Sequence, residues 1–259
     1  MTTATPGAEP EVYAIRYASR VSTKGENFLN FHLYGEPDAV LAVDYFYWVI
    51  RDGARITVVD TGFTPEAGHR RGRDAESTPR ESLPLLGTDP ASVDRVVITH
   101  AHYDHIGNLR QFTGAEVIMS KAEYDFWTSP IASRAQFAAW SEADEIAQLA
   151  ELRNQGRLTL VSDEYRMPGI RLIEAAGHTP GQLLVEAGDV LLTSDAAHFY
   201  EELERDRPFA VMADLPASYR AYDLVTELAS RPGTRLVTGH DPLVRDRFRT
   251  EGDVTYLSE

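Results

Sequence analysis

The sequence predicts a four-layer α/β sandwich: two mixed β-sheets face to face, with helices on the outside. Three observations point there. Short apolar runs alternate with helical patterns along the chain, and those runs gather in two halves, each joined to helices. No internal repeat, low-complexity block or Pro/Gly/Ser linker divides the 259 residues. A chain of this length buries about 70–75% of its unfolded surface, enough for one full domain or two small ones.

Taken in order, residues 1–11 are rich in Thr, Pro, Gly and Glu and read as a disordered lead, with one domain expected over 12–259. The lead has neither the basic start nor the apolar core of a secretory signal. "EVYAIRYA" reads as a strand, and "AVDYFYWVIRDGARITVVDTG" as two strands joined at Asp52-Gly53. "DPASVDRVVITH" is a short helix leading into a buried strand, "GAEVIMS" a further strand and "KAEYDFWTS" a helix. Residues 131–155 are expected to form the longest helical stretch, rich in Ala, Glu, Gln and Leu and stopped by Gly156. Together with the preceding helix they make a helical insertion around 121–157. "RLTLVS", "IRLIEAAG", "QLLVEAG" and "DVLLTSDAA" follow as strands, then a helix over Ala217–Ser230 and a last clear strand, "TRLVTGH".

Composition excludes several functions. The chain carries 25 basic and 40 acidic residues, a net charge of −15 that disfavours general nucleic-acid binding and leans toward uncharged substrates. It has no cysteine, which removes disulfides, thiolate ligands and a cysteine nucleophile, and fits a cytoplasmic protein. No stretch approaches the ~20 apolar residues of a membrane span.

The chemistry concentrates in "THAHYDHIGNL", which holds three of the eight histidines. In an extended segment His100 and His102 project to the same side, so both imidazoles reach one metal. Asp104 and His105 follow at a helix start, displaced far enough to reach a second. Gly107 permits close backbone approach there. Other strands end in similar groups: Asp60 after "ITVV", His178 after "LIEAAG", Asp195 after "VLLTS" and His240 after "RLVTG". Functional side chains are commonly placed where strands give way to loops, so these ends can share one rim. Nitrogen and oxygen donors without sulfur suit Zn²⁺, Fe, Mn or Co, with zinc favoured on base rates. His32 and His69 have no motif around them and are given no role in the site.

At these residues the chain resembles the metallo-β-lactamase superfamily. His100-Ala101-His102-Tyr103-Asp104-His105 matches its H-x-H-x-D-H signature. The likeness extends through Asp60-Thr61-Gly62, Gly177-His178-Thr179-Pro180-Gly181, Ser194-Asp195 and Gly239-His240, from about Val12 to about Phe248. It implies a binuclear αββα hydrolase. His100, His102 and His178 would hold the first metal; Asp104, His105 and His240 the second; Asp195 would bridge, and Asp60 would support the ligands from behind.

Within that family the chain looks most like the branch that opens N-acyl homoserine lactones, the quorum-quenching lactonases. The implied reaction is attack on the ring carbonyl by a metal-bridging hydroxide, with Asp104 orienting it and later passing a proton to the leaving oxygen. A tyrosine usually stands three residues after the bridging aspartate in that branch. Here "SDAAHFY" puts His198 there, with Tyr200 two further on, and in an extended chain both face the same way. Either can donate to the developing oxyanion. Phe126, Trp127, Phe137 and Trp140 either cover an apolar pocket or fill the core.

Rival readings are weaker. A glutathione-thioester hydrolase should show a basic patch, which is not legible, and a nucleic-acid-processing member should carry positive charge and an extra domain. Secreted β-lactamases carry a signal and often a cysteine ligand, and flavin-linked diiron members need a flavodoxin domain. A single-iron persulfide dioxygenase does not need the complete second ligand set. The runner-up is a hydrolase of another lactone, small ester or thioester; a non-catalytic metal-binding scaffold is the reading from a different class. The expected partner is a small-molecule lactone, with no nucleic acid and no membrane. Similar lactonases are often homodimers, although no self-complementary surface is legible.

Overall fold

The computed structural model describes residues 9–259, so most of the expected lead lies outside the described residues. The first strand starts at Glu11, where alternating burial replaces the polar lead. Among the described residues no helix is long and apolar enough to cross a membrane.

Among the described residues thirteen strands form two sheets. The larger contains β1 (Glu11–Thr23), β2 (Val40–Asp52), β3 (Arg55–Val59), β4 (Arg95–Ile98), β5 (Glu116–Ser120), β6 (Leu158–Val161), β12 (Arg249–Glu251) and β13 (Val254–Tyr256). The smaller contains β7 (Glu164–Met167), β8 (Ile170–Glu174), β9 (Leu183–Ala187), β10 (Val190–Leu192) and β11 (Arg235–Val237). The order is β12-β13-β1-β2-β3-β4-β5-β6 in the first and β11-β10-β9-β8-β7 in the second. Both sheets are mixed: β1 to β3 are antiparallel and β3 to β6 parallel, while β10 pairs antiparallel with β9 and parallel with β11.

Side-chain alternation explains the layering. Val12, Ala14, Phe46, Trp48 and Ile50 face Leu172, Leu183, Val185 and Leu192 across the inter-sheet core. The opposite face of the large sheet, with Ile15, Tyr47, Val49, Val96 and Val117, packs under Trp127, Leu149 and Leu152 from its covering helices. Ile173, Leu184 and Leu191 on the far side of the small sheet meet Ala221, Val225 and Leu228 of helix Leu215–Ala229. The result is helix, sheet, sheet, helix, the expected architecture.

Two expectations need correction. Residues 131–155 are not one helix but a short turn of helix, Ala135–Ala138, followed by Ala143–Asn154, and the longest helix is Leu215–Ala229. The break has a cause: the Trp140 carbonyl accepts from the Tyr103 amide (2.8 Å), and Glu142 pairs with Arg70 and Arg71. Tertiary bonds there outcompete helix propensity. Strands also continue past "TRLVTGH", because β12 and β13 return to pair with β1 and extend the large sheet.

Candidate metal centre

The site is assembled at one rim. His100 lies two residues beyond β4, and Asp60 follows β3, which is parallel to it. His178, Asp195 and His240 follow β8, β10 and β11. Since β8 and β10 both run antiparallel to β9, and β11 parallel to β10, all three deliver their carboxyl ends to the same side. The Leu183 amide donates to the Thr99 carbonyl (3.0 Å), tying the two sheets together beside the histidines. His102 caps the short helix Tyr103–Ile106, which carries Asp104 and His105. A Cβ on Gly107 would lie 2.7 Å from the Gly62 carbonyl oxygen, so this close approach requires glycine.

Seven buried side chains converge as two groups: His100, His102, His178 and Asp195, then Asp104, His105 and His240. Asp195 stands between them. Its Oδ2 is 3.7 Å from His100 Nε2 and 3.4 Å from His178 Nε2, whereas its Oδ1 is 3.3 Å from His105 Nε2 and 3.1 Å from His240 Nε2.

The outward ring nitrogens are already engaged. Nδ1–H of His178 donates to the Val211 carbonyl (2.9 Å) and that of His240 to the Asp44 carbonyl (2.8 Å). His105 Nδ1 bonds Asp60 (2.8 Å), and His100 Nδ1 lies 3.1 Å from the Thr99 hydroxyl. These bonds leave Nε2 free to point inward, the pattern that fixes the tautomer of a ligating histidine. His102 instead turns Nδ1 toward His178 Nε2 (2.9 Å). His100 Nε2, His105 Nε2 and Asp195 Oδ1 are buried without a hydrogen-bond partner among the described residues. Buried lone pairs facing one another without donors are costly, and metal cations relieve that cost. The donor set therefore fits two divalent ions.

Electrostatics divide the centre: three histidines are held neutral, and a fourth is drawn toward charge by its carboxylates. Burial holds His100 and His102 well below the usual imidazole range and brings His178 down to about 3. Burial also opposes charge on His105, but Asp195, Asp60 and Asp104 outweigh it and hold its pKa well above the usual range. Asp195 is driven well below the carboxylate range despite its burial, because His198, His105 and His240 surround it.

Asp60 sits behind the centre. It accepts the Thr99 amide and hydroxyl (both 2.8 Å) as well as His105, and it adopts φ 61°. Ser194, next to Asp195, is likewise left-handed at φ 46°. Non-glycine residues in that region are strained, and strain of this kind collects at functional sites.

His198 is at the centre. Its Nε2 lies 3.0 Å from Asp195 Oδ2, its ring stacks on Phe209 at 3.5 Å, and Glu202 stands behind it at 3.4 Å. Burial lowers its basicity, yet Asp195 and Glu202 prevail and raise its pKa to about 9. Tyr200, its expected alternative, is not there. The chain enters helix Tyr200–Arg205 at that residue, which ends the strand-like alternation that would have aligned positions 198 and 200. The Tyr200 hydroxyl donates to the Leu236 carbonyl (2.9 Å), and its ring lies 3.5 Å beneath the Arg247 guanidinium.

A cleft opens over the centre, lined by His102, Asp104, His178, His198 and His240 together with Tyr45, Phe199 and Phe209. Phe126, Trp127, Phe137 and Trp140 border an adjoining hollow, so they serve as cavity wall and as packing against the core. His32 and His69 are exposed and belong to neither group of candidate ligands.

Three residues at the site escaped sequence reasoning. Glu123 is fully buried, and one carboxylate of it accepts the Ala101 amide (2.9 Å), the Gly181 amide (2.9 Å) and the Trp127 indole N–H (2.5 Å). It thereby ties the loop carrying His100 and His102 to the loop carrying His178. A glutamate four residues before a buried tryptophan was the available signal. Arg20 and Arg73 also line the cleft, correcting the expectation that it lacks basic groups. Each comes from a segment without a motif.

The pattern that defines the Metallo-beta-lactamase superfamily matches residues 42–240. Among curated proteins, the N-acyl homoserine lactonase AttM of Azorhizobium caulinodans is 32% identical over 165 residues, covering 61% of each chain. An N-acyl homoserine lactonase of a Bacillus species is 28% identical over 164 residues, covering 61% of this chain and 60% of its own. The match thus spans about three fifths of the length of these relatives. Among solved structures, a quorum-quenching N-acyl homoserine lactone lactonase superposes with a TM-score of 0.77 at 22% identity, covering 94% of this chain and 97% of that one. The dizinc quorum-quenching lactonase AidC, solved with a product bound, gives 0.69 at 18% identity over 98% and 96%. At such identities the superpositions speak for the fold.

Proposed function

The chain belongs to the metallo-β-lactamase superfamily, and from that premise we propose that it is a binuclear metal-dependent hydrolase opening the lactone ring of N-acyl homoserine lactones. The reading is carried by the Asp195 carboxylate, which offers one oxygen to each triad. His100, His102 and His178 would hold one divalent ion and Asp104, His105 and His240 the other, with Asp195 between them. Such a pair supplies a nucleophile at neutral pH and polarises the ring carbonyl. Sulfur-free donors favour zinc, with Fe, Mn or Co as alternatives.

The remaining work falls to the chain itself. His198 Nε2–H donates to the oxygen that gains charge as the carbonyl is attacked. Phe209 stacked on its ring and Glu202 behind it fix its direction. Asp104 passes a proton to the ring oxygen as the acyl C–O bond breaks. Water is added across that bond, its oxygen entering the new carboxylate. The names of the sequence relatives support the acyl homoserine lactone as substrate, and the aromatic wall of the hollow beside His102 and His178, made by Phe126, Trp127, Phe137 and Trp140, suits an acyl chain. A chain without cysteine suits work in the cytoplasm.

A second reading, hydrolysis of another lactone, ester or glutathione thioester, draws support from Arg20 and Arg73 in the cleft. One panel separates them: N-acyl homoserine lactones, a simple lactone, a glutathione thioester, a β-lactam and a phosphodiester, assayed on protein of measured metal content in ¹⁸O-water. The proposal expects the acyl lactones to be fastest, with solvent oxygen in the carboxylate. Faster turnover of the thioester or phosphodiester would overturn it.

A further inference from the structure

We propose that the same centre also opens lactones that bear a carboxylate, and that Arg20 and Arg73 grip that group within the cleft. The inference rests on the lactone-hydrolase reading and adds a second substrate class to it.

Arg20 lies on β1 opposite Val43 of β2, two positions from Tyr45 on the same strand. Arg73 follows helix Pro65–Arg70, its amide fastened to the Gly68 carbonyl (2.9 Å). Both are half-buried and line the cleft over the histidines. Neither has a carboxylate within 4.0 Å among the described residues, although their neighbours do: Arg70 and Arg71 pair with Glu142, and Arg16 pairs with Glu76 and Asp253. These two guanidiniums thus bring uncompensated positive charge to the rim of the site.

Their donors are largely unspent. A guanidinium offers five N–H groups. Arg20 gives Nη2 to Asn27 Oδ1 (3.2 Å), and its Nε is buried without a partner. Arg73 lies 5.4 Å from the Tyr103 ring centre and 5.8 Å from that of Tyr45, contacts that hold the cation without consuming its hydrogen bonds. Planar forks left open in this way match the geometry of a carboxylate.

Spacing sets where the anion sits. The Tyr45 ring is 5.0 Å from the His240 ring, edge-on, so one aromatic ring separates a candidate ligand from Arg73. A substrate with its carboxylate a few bonds from the scissile ester spans that gap. The two carboxylates that line the cleft, Asp104 and Asp195, belong to the candidate ligand set. The aromatic-walled hollow adjoins the cleft through His102, Trp140, His178 and Val211, and neither arginine borders it. Acyl chain and carboxylate therefore have separate places.

The chemistry balances as simple hydrolysis. Water contributes its oxygen to the acyl carbon, the acyl C–O bond breaks, and the ring oxygen takes the proton, giving a hydroxy-diacid.

The test compares γ-carboxy-γ-butyrolactone with its primary amide, nearly equal in shape and different in charge. We expect kcat/KM to favour the carboxylate by about tenfold or more in the wild type, the size of a charge-assisted pair. Arg20→Gln and Arg73→Gln should each lower that ratio, and the double variant should bring it near one. Arg→Lys at either position should recover part of it, because charge returns without the fork. Metal content and melting temperature, read in parallel, distinguish lost recognition from lost folding. Should the glutamine variants not fold, the wild-type ratio must still fall with added salt. Equal or faster turnover of the amide overturns the inference and leaves the lactone reading intact. So does opening of acyl homoserine lactones with neither probe touched. If no lactone is opened, the lactone reading itself fails and the inference with it.

Discussion

His100, His102 and His178 reach the centre on two loops tied by one buried carboxylate, that of Glu123. Asp104, His105 and His240 are held by several separate bonds: Asp60 on His105, the Asp44 carbonyl on His240, and the Thr61 amide on the His105 carbonyl (2.7 Å). The two halves use similar donors and share Asp195, and in each the ring nitrogens have partners of their own, such as the Val211 carbonyl for His178. What sets the first apart is that a single carboxylate joins two of its loops. A half-site whose loops share one buried acceptor should lose more from a single substitution than one whose bonds are spread over separate partners.

The largest effect is therefore expected at Glu123. Glu123→Ala leaves the Ala101 and Gly181 amides and the Trp127 indole N–H buried without an acceptor. At about 1–3 kcal/mol for each orphaned donor, roughly 5 kcal/mol of stability is lost. Denaturant unfolding measures this, and metal analysis should show the first triad emptied while the second retains its ion. Equal loss from both would break the comparison. Gly181→Ala should echo the effect, since its Cβ would lie 2.3 Å from the Glu123 amide nitrogen.

Next comes His198→Ala, expected to lower kcat by about 10²–10³-fold with metal content unchanged, as for a lost oxyanion donor. His198→Tyr should restore part of the rate. A variant that loses metal instead would make His198 a ligand and redraw the first half-site, because its Nε2 already faces the same Asp195 oxygen as His100 and His178.

Asp60→Asn should act more mildly, weakening metal affinity at the second triad by about 10–100-fold, the usual cost of losing a partner behind a ligand. Metal titration with a chelator reads it. Smallest is Tyr200→Phe, expected to leave kcat intact and to cost about 1 kcal/mol of stability through its bond to Leu236.

Legibility followed the same division. Asp60, His100, His102, Asp104, His105, His178, Asp195 and His240 stand at strand ends within short motifs, so position and residue type announced them together. The two-sheet architecture was readable because apolar alternation marks each strand. Glu123 was hidden because its role depends on which amides fold over a helix of unremarked sequence. Arg20 and Arg73 were hidden because only the pairing of β1 with β2 and the turn after Arg70 bring them to the cleft. The break at Trp140 was hidden because it is made by a bond to Tyr103, remote in sequence. Tyr200 misled because alternation was extended one residue past the point where a helix begins.

The central claim is that the two triads hold one ion each. Elemental analysis of the purified protein, repeated on His240→Ala, tests it most directly. We expect about two divalent ions per wild-type chain, the number a bridged pair of triads holds, and close to one in the variant, with His100, His102 and His178 still loaded. A wild-type chain that saturates at a single ion would contradict the account.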